Sequence, residues 1–105
     1  MTTLSITLIG HNEAHNLPRA LESVQGLADE LVYVDCGSSD TSAEVAARYT
    51  QHLLHRPNDA NLNVNKQVGI EQCTGDWIFY LDPDEVIPSE LAREIRAVIE
   101  SDPPH

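Results

Sequence analysis

The chain has 105 residues, the size of one compact domain with a single core. At 41% apolar residues it has enough material to bury a core and too much for a disordered segment, and no apolar run approaches the roughly 20 residues of a membrane span. Seventeen acidic residues against six basic ones give a formal net charge of -11, which repels phosphate backbones and anionic lipid, so no nucleic-acid partner is expected and bare membrane is disfavoured.

Leu4 to Ile9 is a β-branched run ending at Gly10, and it predicts the first strand. Asn16 is placed to cap a helix that tolerates Pro18 in its first turn, with Leu17, Leu21 and Val24 on one face and Gly26 closing it. Glu30 to Asp35 predicts the second strand, followed by small and polar residues through Asp40. Thr41 and Glu44 have capping-box spacing and open a helix carrying Val45, Ala46 and Tyr49. Gln51 to His55 reads as a short third strand, stopped by Arg56-Pro57-Asn58-Asp59. A helix is expected from Asn61 to Gln72, against the low helix propensity of its asparagines. Asp76 to Leu81 is the strongest strand signal and runs straight into Asp82-Pro83-Asp84-Glu85. The last helix, from Ser89 to about Ser101, is expected to bury Leu91, Ile95, Val98 and Ile99.

This alternation predicts an α/β domain: a Rossmann-like open, mainly parallel sheet with flanking helices, over residues 1–101, with a tail at 102–105. Polar loops then gather at the carboxyl ends of the strands, where open α/β sheets bind ligands. Three of these loops carry acids: His11-Asn12-Glu13, Asp35 to Asp40, and Asp82 to Glu85. The open edge of such a sheet is also a surface for pairing with a second copy of the chain.

Asp82 and Asp84 leave a strand together, so both carboxylates can turn toward one point. Mg²⁺ and Mn²⁺ prefer such oxygen ligands and commonly bridge a protein carboxylate to substrate phosphate oxygens. A solvated acidic turn shaped by Pro83 is the plainer reading, and the strong strand before it favours the metal. Asp35 ends a strand beside Gly37, where a carboxylate can read a base N–H or a ribose hydroxyl; Ser39 and Asp40 read as turn and cap residues. His11, Glu13 and His15 lack the spacing of a zinc helix, whereas Asn12 and Glu13 can read a ligand edge. Arg56 and Lys66 either offset a diphosphate or balance acidic neighbours. Trp77 and Tyr80 are expected in the core or on a sheet face. Cys36 and Cys73 read as small buried thiols. The first residues lack the basic and apolar stretches of a signal peptide, so cytoplasm is the expected compartment, extending to the inner face of the membrane.

Asn12-Glu13-Ala14-His15-Asn16-Leu17-Pro18, then Leu21-Glu22-Ser23-Val24, the run from Glu30 to Asp40, and the run from Thr74 to Glu85 together resemble family-2 glycosyltransferases of the GT-A fold. With His55-Arg56-Pro57, the resemblance is to bacterial lipopolysaccharide-core β-1,4-glucosyltransferase-like proteins of cell-envelope polysaccharide synthesis. It implies inverting, metal-assisted hexosyl transfer from a nucleotide-diphosphate sugar, usually UDP-linked, to a saccharide or lipid-linked acceptor, with Mg²⁺ or Mn²⁺ as cofactor. By position, Asn12 and Glu13 would lie near the nucleoside and Asp35 would accept from the base. Asp82 would sit near the ribose or donor sugar, Asp84 would ligate the metal, and Lys66 would approach the nucleotide. Cys36, Gln67 and Pro83 depart from the usual residues, and Pro83 fixes φ inside the acidic motif. Proteins of this fold are usually much longer and carry the general base in an acceptor half. No residue after Glu85 fits that role, so no catalytic residue is identifiable and a donor-binding half is expected. The alternative is a non-catalytic nucleotide-sugar-binding or oligomerisation module.

Overall fold

Six of the seven residues of Leu4–Gly10 are buried, which a strand achieves only with neighbours on both edges and cover on both faces. In a computed structural model that describes residues 2–58 and 62–101, this strand, β1, lies inside a four-stranded sheet. The elements run β1, α1 (Leu17–Val24), β2 (Glu30–Cys36), α2 (Ser42–Ala47), β3 (His52–Arg56), α3 (Leu62–Gln72), β4 (Trp77–Tyr80) and α4 (Ser89–Glu100). The sheet order is β3-β2-β1-β4 and every pairing is parallel, with Gly10 opposite Asp35 and Thr7 opposite Tyr80. This is the open Rossmann-like sheet expected from the alternation of strands and helices.

Alternation along β1 divides the core. Leu4, Ile6 and Leu8 face α1, whose Leu17, Ala20, Leu21 and Val24 are buried against them, with Tyr33 from β2 and Val45 and Ala46 from α2 completing the cluster. Ile9 faces the other way, with Val34 and Cys36, and the half-buried Leu54 and Tyr80 pack against them. Both cysteines are free thiols. On that second face α3 approaches so closely that a Cβ on Gly69 would stand 2.6 Å from Thr7 Oγ1 and 3.2 Å from Val34 Cγ2. Among the described residues no helix is long and apolar enough to cross a membrane.

The structure corrects four local expectations. The capping box at Thr41 does not form, since Thr41 makes no side-chain cap bond; Asp40, also read as a cap residue, accepts from the Ser42 N–H through Oδ1 at 2.9 Å and caps α2. Asn16 likewise makes no cap bond, and its Nδ2 donates to Glu13 Oε2 at 3.2 Å. Tyr49 lies beyond the end of α2, where its hydroxyl donates to Glu22 Oε1 at 3.0 Å.

The fourth correction is the largest. Leu91, Ile95, Val98 and Ile99 were expected on the buried face of α4 and Trp77 in the core or on a sheet face, yet Leu91 is 43% exposed, Val98 60% and Trp77 39%. β4 is an outermost strand, and α4 packs through Ile95 and Ile99 while Arg96 is held by the Leu27 carbonyl and Asp29. An apolar groove of about 300 Å³ is left between them, walled by Trp77, Ile78, Phe79, Leu91, Ile95 and Val98. The expected helix start at Asn61 and the tail at 102–105 lie outside the described residues.

Overpacking at the α3 crossing sets a test of this arrangement. Gly69→Ala is expected to destabilise the fold by about 1–3 kcal/mol, read as a lower urea midpoint, because the new methyl must displace Thr7 or Val34.

Candidate functional site

Parallel strands end on the same side, so the loops after β1, β2 and β4 meet at one edge. The first two are zipped together by hydrogen bonds. Asn12 sits at φ 55°, a left-handed conformation that Asn tolerates, and this turns its side chain across to the loop after β2. Its Oδ1 accepts from the N–H of Ser39 at 2.8 Å and of Asp40 at 3.3 Å, while its own N–H donates to Ser38 Oγ at 2.9 Å. Ser38 in turn donates its hydroxyl to Asp35 Oδ1 at 2.6 Å and its N–H to Asp35 Oδ2 at 3.2 Å. From the other side, the Glu13 N–H donates to Ser42 Oγ at 2.8 Å and the Ala14 N–H to Asp40 Oδ2 at 3.2 Å. The Ser42 hydroxyl, followed by the Ser42 and Ala14 N–H groups, holds the Asp40 carboxyl below its usual range.

His11 closes the same junction. Its Nδ1 lies 2.6 Å from the Cys36 carbonyl, which can only accept, so Nδ1 carries the proton. Nε2 then faces Asn12 Nδ2 at 3.3 Å. The third loop is a tight turn in which Asp82 N–H donates to Glu85 Oε1 at 3.0 Å and Glu85 N–H returns to the Asp82 carbonyl at 2.9 Å. Pro83 is buried under the turn, leaving Asp82 and Asp84 exposed.

These loops enclose a cavity of about 340 Å³. Glu13, Asp82 and Asp84 line it together, as the convergence of acidic loops suggested. Lys66 is not among the lining residues, but its Nζ lies 4.1 Å from the centroid of the ring of Tyr80, which is. Burial, and then the neighbouring Asp82 carboxylate, pushes the Tyr80 hydroxyl up from its ordinary value. Asn12 and Asp35 lie behind the wall rather than on it: Asp35 is 4% exposed and both carboxylate oxygens are engaged by Ser38.

Sequence reasoning missed four lining residues, His11, Cys36, Asn58 and Tyr80, as ligand-facing groups. Asn58 was legible only as a strand stop, although the carboxyl end of β3 falls on the same edge. Among the described residues no group of three or more His, Cys, Asp or Glu is arranged to hold a metal ion. Asp82 and Asp84 are hard oxygen donors of the kind Mg²⁺ and Mn²⁺ prefer, so they fit a cation whose other ligands arrive with a phosphate-bearing molecule.

The glycosyl transferase family 2 model matches residues 5–105. A TPR repeat-containing protein of Synechococcus elongatus is 35% identical over 100 residues, covering 95% of this chain and 25% of that protein. The lipopolysaccharide core biosynthesis glycosyltransferase LpsC of Rhizobium meliloti is 33% identical over 97 residues, covering 88% of this chain and 35% of LpsC. The chain therefore spans about a quarter to a third of these two relatives. In fold it is similar to glucosyl-3-phosphoglycerate synthase from Mycobacterium tuberculosis, crystallised with Mn²⁺ and UDP-glucose: TM-score 0.76, 19% identity, covering 96% of this chain and 40% of that one.

The loop zipper predicts an acid-sensitive fold. Because the folded Asp40 carboxyl is held below the ordinary aspartate range, its contribution is present above that range and is lost as the pH falls through the depressed value. Urea midpoints measured at pH 7 and pH 3 are expected to fall for the wild type, and to fall less for Asp40→Asn.

Proposed function

The chain belongs to the family-2 glycosyltransferases, and from that premise we propose that the loops after β1, β2 and β4 form the donor side of a hexosyl transfer. The donor is a nucleotide-diphosphate sugar, UDP-linked, bound with Mg²⁺ or Mn²⁺. The observation that carries this reading is the single cavity shared by Glu13, Asp82 and Asp84 at the carboxyl edge of the sheet. Three carboxylates repel a diphosphate unless a cation lies between them. Asp84 is the proposed metal ligand, with Asp82 at the ribose or donor sugar and Glu13 near the nucleoside. When bound, the metal supplies charge neutralisation for the diphosphate leaving group. Lys66, over the ring of the lining Tyr80, is proposed to approach the nucleotide with positive charge. Asp35 is proposed to accept from the base with the lone pairs that Ser38 leaves free, and Asn12 to keep the nucleoside loop in place. The Mn²⁺ and UDP-glucose bound by the M. tuberculosis enzyme support this choice of ligand.

Transfer with inversion also needs an acceptor hydroxyl and a base to deprotonate it. The relatives' greater length supports assigning a saccharide or lipid-linked acceptor, and that base, to polypeptide beyond these 105 residues. Binding rather than turnover is therefore the proposed property of this chain alone, in the cytoplasm or at the inner face of the membrane, and cell fractionation tests the location. A titration of nucleotide diphosphates with and without Mn²⁺, followed through backbone amide shifts, is expected to move Glu13 and Asp82 to Glu85 in a metal-dependent way. Asp84→Ala is expected to weaken that binding at least about tenfold, equivalent to ~1.4 kcal/mol. No shift with any nucleotide removes the donor-site reading.

The exposed β4 edge favours a second, compatible reading, in which two copies pair across it. The strand offers unpaired backbone groups on its outer side, and Trp77, Ile78, Leu91 and Val98 border it with apolar surface. Sedimentation is expected to show a dimer that Ile78→Lys converts to monomer; a monomeric wild type at high concentration ends this reading.

A further inference from the structure

The Tyr33 hydroxyl is fully buried and makes no hydrogen bond among the described residues. Its place in the fold gives that orphan a direction. Tyr33 pairs with Leu8 on β1, and its side chain reaches along the sheet to Gly10, where β1 ends. A Cβ on Gly10 would overlap the hydroxyl, and would stand 3.2 Å from Pro83 Cγ and 3.3 Å from Glu13 Cγ. Gly10, Glu13 and Pro83 all line the acidic cavity. The unpartnered donor therefore packs against the Gly10 backbone, next to the cavity-lining Glu13 and Pro83.

Buried polar groups are almost always paired, and an exception beside a binding cavity calls for a partner that the chain itself does not supply. The cavity's carboxylates, Glu13, Asp82 and Asp84, only accept hydrogen bonds when ionised. A diphosphate sugar is itself rich in acceptor oxygens and short of partners in such a site. We propose that Tyr33 is an anchoring hydrogen-bond donor of the site, its acceptor an oxygen of the nucleotide-diphosphate sugar reached across Gly10. The inference rests on the donor-site reading and adds to it a residue from the strand beneath the loops. Burial raises the Tyr33 pKa, followed by the charge of Asp35, so the phenol keeps its proton and donates throughout the physiological range. Two groups separate the hydroxyl from the cavity, Glu13 and the Pro83 ring. Glu13 is drawn aside toward Asn16 Nδ2, and Pro83 rides on a turn closed by two hydrogen bonds. The proposed contact therefore requires that turn to yield when the ligand binds.

Calorimetric titration of UDP-glucose and UDP in the presence of Mn²⁺ tests this with Tyr33→Phe, alongside ligand-free urea unfolding. The variant is expected to bind UDP-glucose at least about tenfold more weakly while its unfolding midpoint stays level or rises, since an unpaired buried hydroxyl is lost. An equal loss with UDP places the acceptor on the nucleotide; a loss confined to UDP-glucose places it on the sugar. Unchanged affinity overturns the inference, whether or not stability falls, and a fall would assign the hydroxyl to an internal bond. Failure of the wild type to bind either ligand sinks the donor-site reading instead. Should Tyr33→Phe fail to fold, Tyr33→Met, which removes the hydroxyl, keeps a long apolar side chain and leaves Gly10 untouched, gives the same comparison.

Discussion

Every side chain of the candidate site hangs from the carboxyl end of a strand, and the pairing of β1 with β2 and β4 keeps those ends together. Burial of Leu4, Ile6 and Leu8 against α1 locks the register, because a one-residue slip would turn all three toward the opposite face. Each such side chain contributes about 1.5–3 kcal/mol on leaving water. The loops inherit this order. Once Gly10 stands opposite Asp35, Asn12 is within reach of Ser39 and Asp40, and the zipper between the two loops follows from the sheet rather than from the loops themselves.

The chain's excess of acid divides into two populations with different tasks. Asp35 and Asp40 are consumed by local N–H and hydroxyl donors, and serve as fixed acceptors that shape the turn before α2. Glu13, Asp82 and Asp84 face the cavity, and among the described residues lining it there is no lysine or arginine. Lys66 reaches the lining Tyr80, and its ammonium sits over the face of that ring. Unbalanced carboxylates in a concave site are an electrostatic cost that a bound cation would relieve, which is what the proposed metal-bound donor would bring.

The strands and helices were legible because period and turn chemistry are local properties. The apolar runs at Leu4, Glu30 and Trp77 give strands within a residue or two of their expected ends. Orientation was not legible in the same way. Asn12 and Asp35 belong to the right loops, but which way a loop side chain turns depends on dihedrals such as the left-handed φ of Asn12, which no pattern of residue types encodes. Three adjacent polar residues could each cap α2, and the choice of Asp40 was made by its second contact with Ala14, across the fold. Apolarity in β4 and α4 was read as burial, yet burial needs a neighbour as well as an apolar side chain. Tyr33 read as one more strand residue, because only the packed sheet reveals that its hydroxyl ends at Gly10.

The exposed edge strand bears on how the chain behaves in bulk. Trp77-Ile78-Phe79-Tyr80-Leu81 is an uncharged, proline-free stretch of high β-propensity, the composition of segments that stack into cross-β aggregates. It is bracketed by Asp76 and Asp82, and acidic flanks of this kind act as gatekeepers by placing like charges in register wherever copies stack. Asp76 is tethered to Thr3 at 2.9 Å, which leaves Asp82 as the freer guard. The residue proposed to meet the donor thus also guards solubility, and neutralising it exposes the chain to aggregation for reasons unconnected with binding.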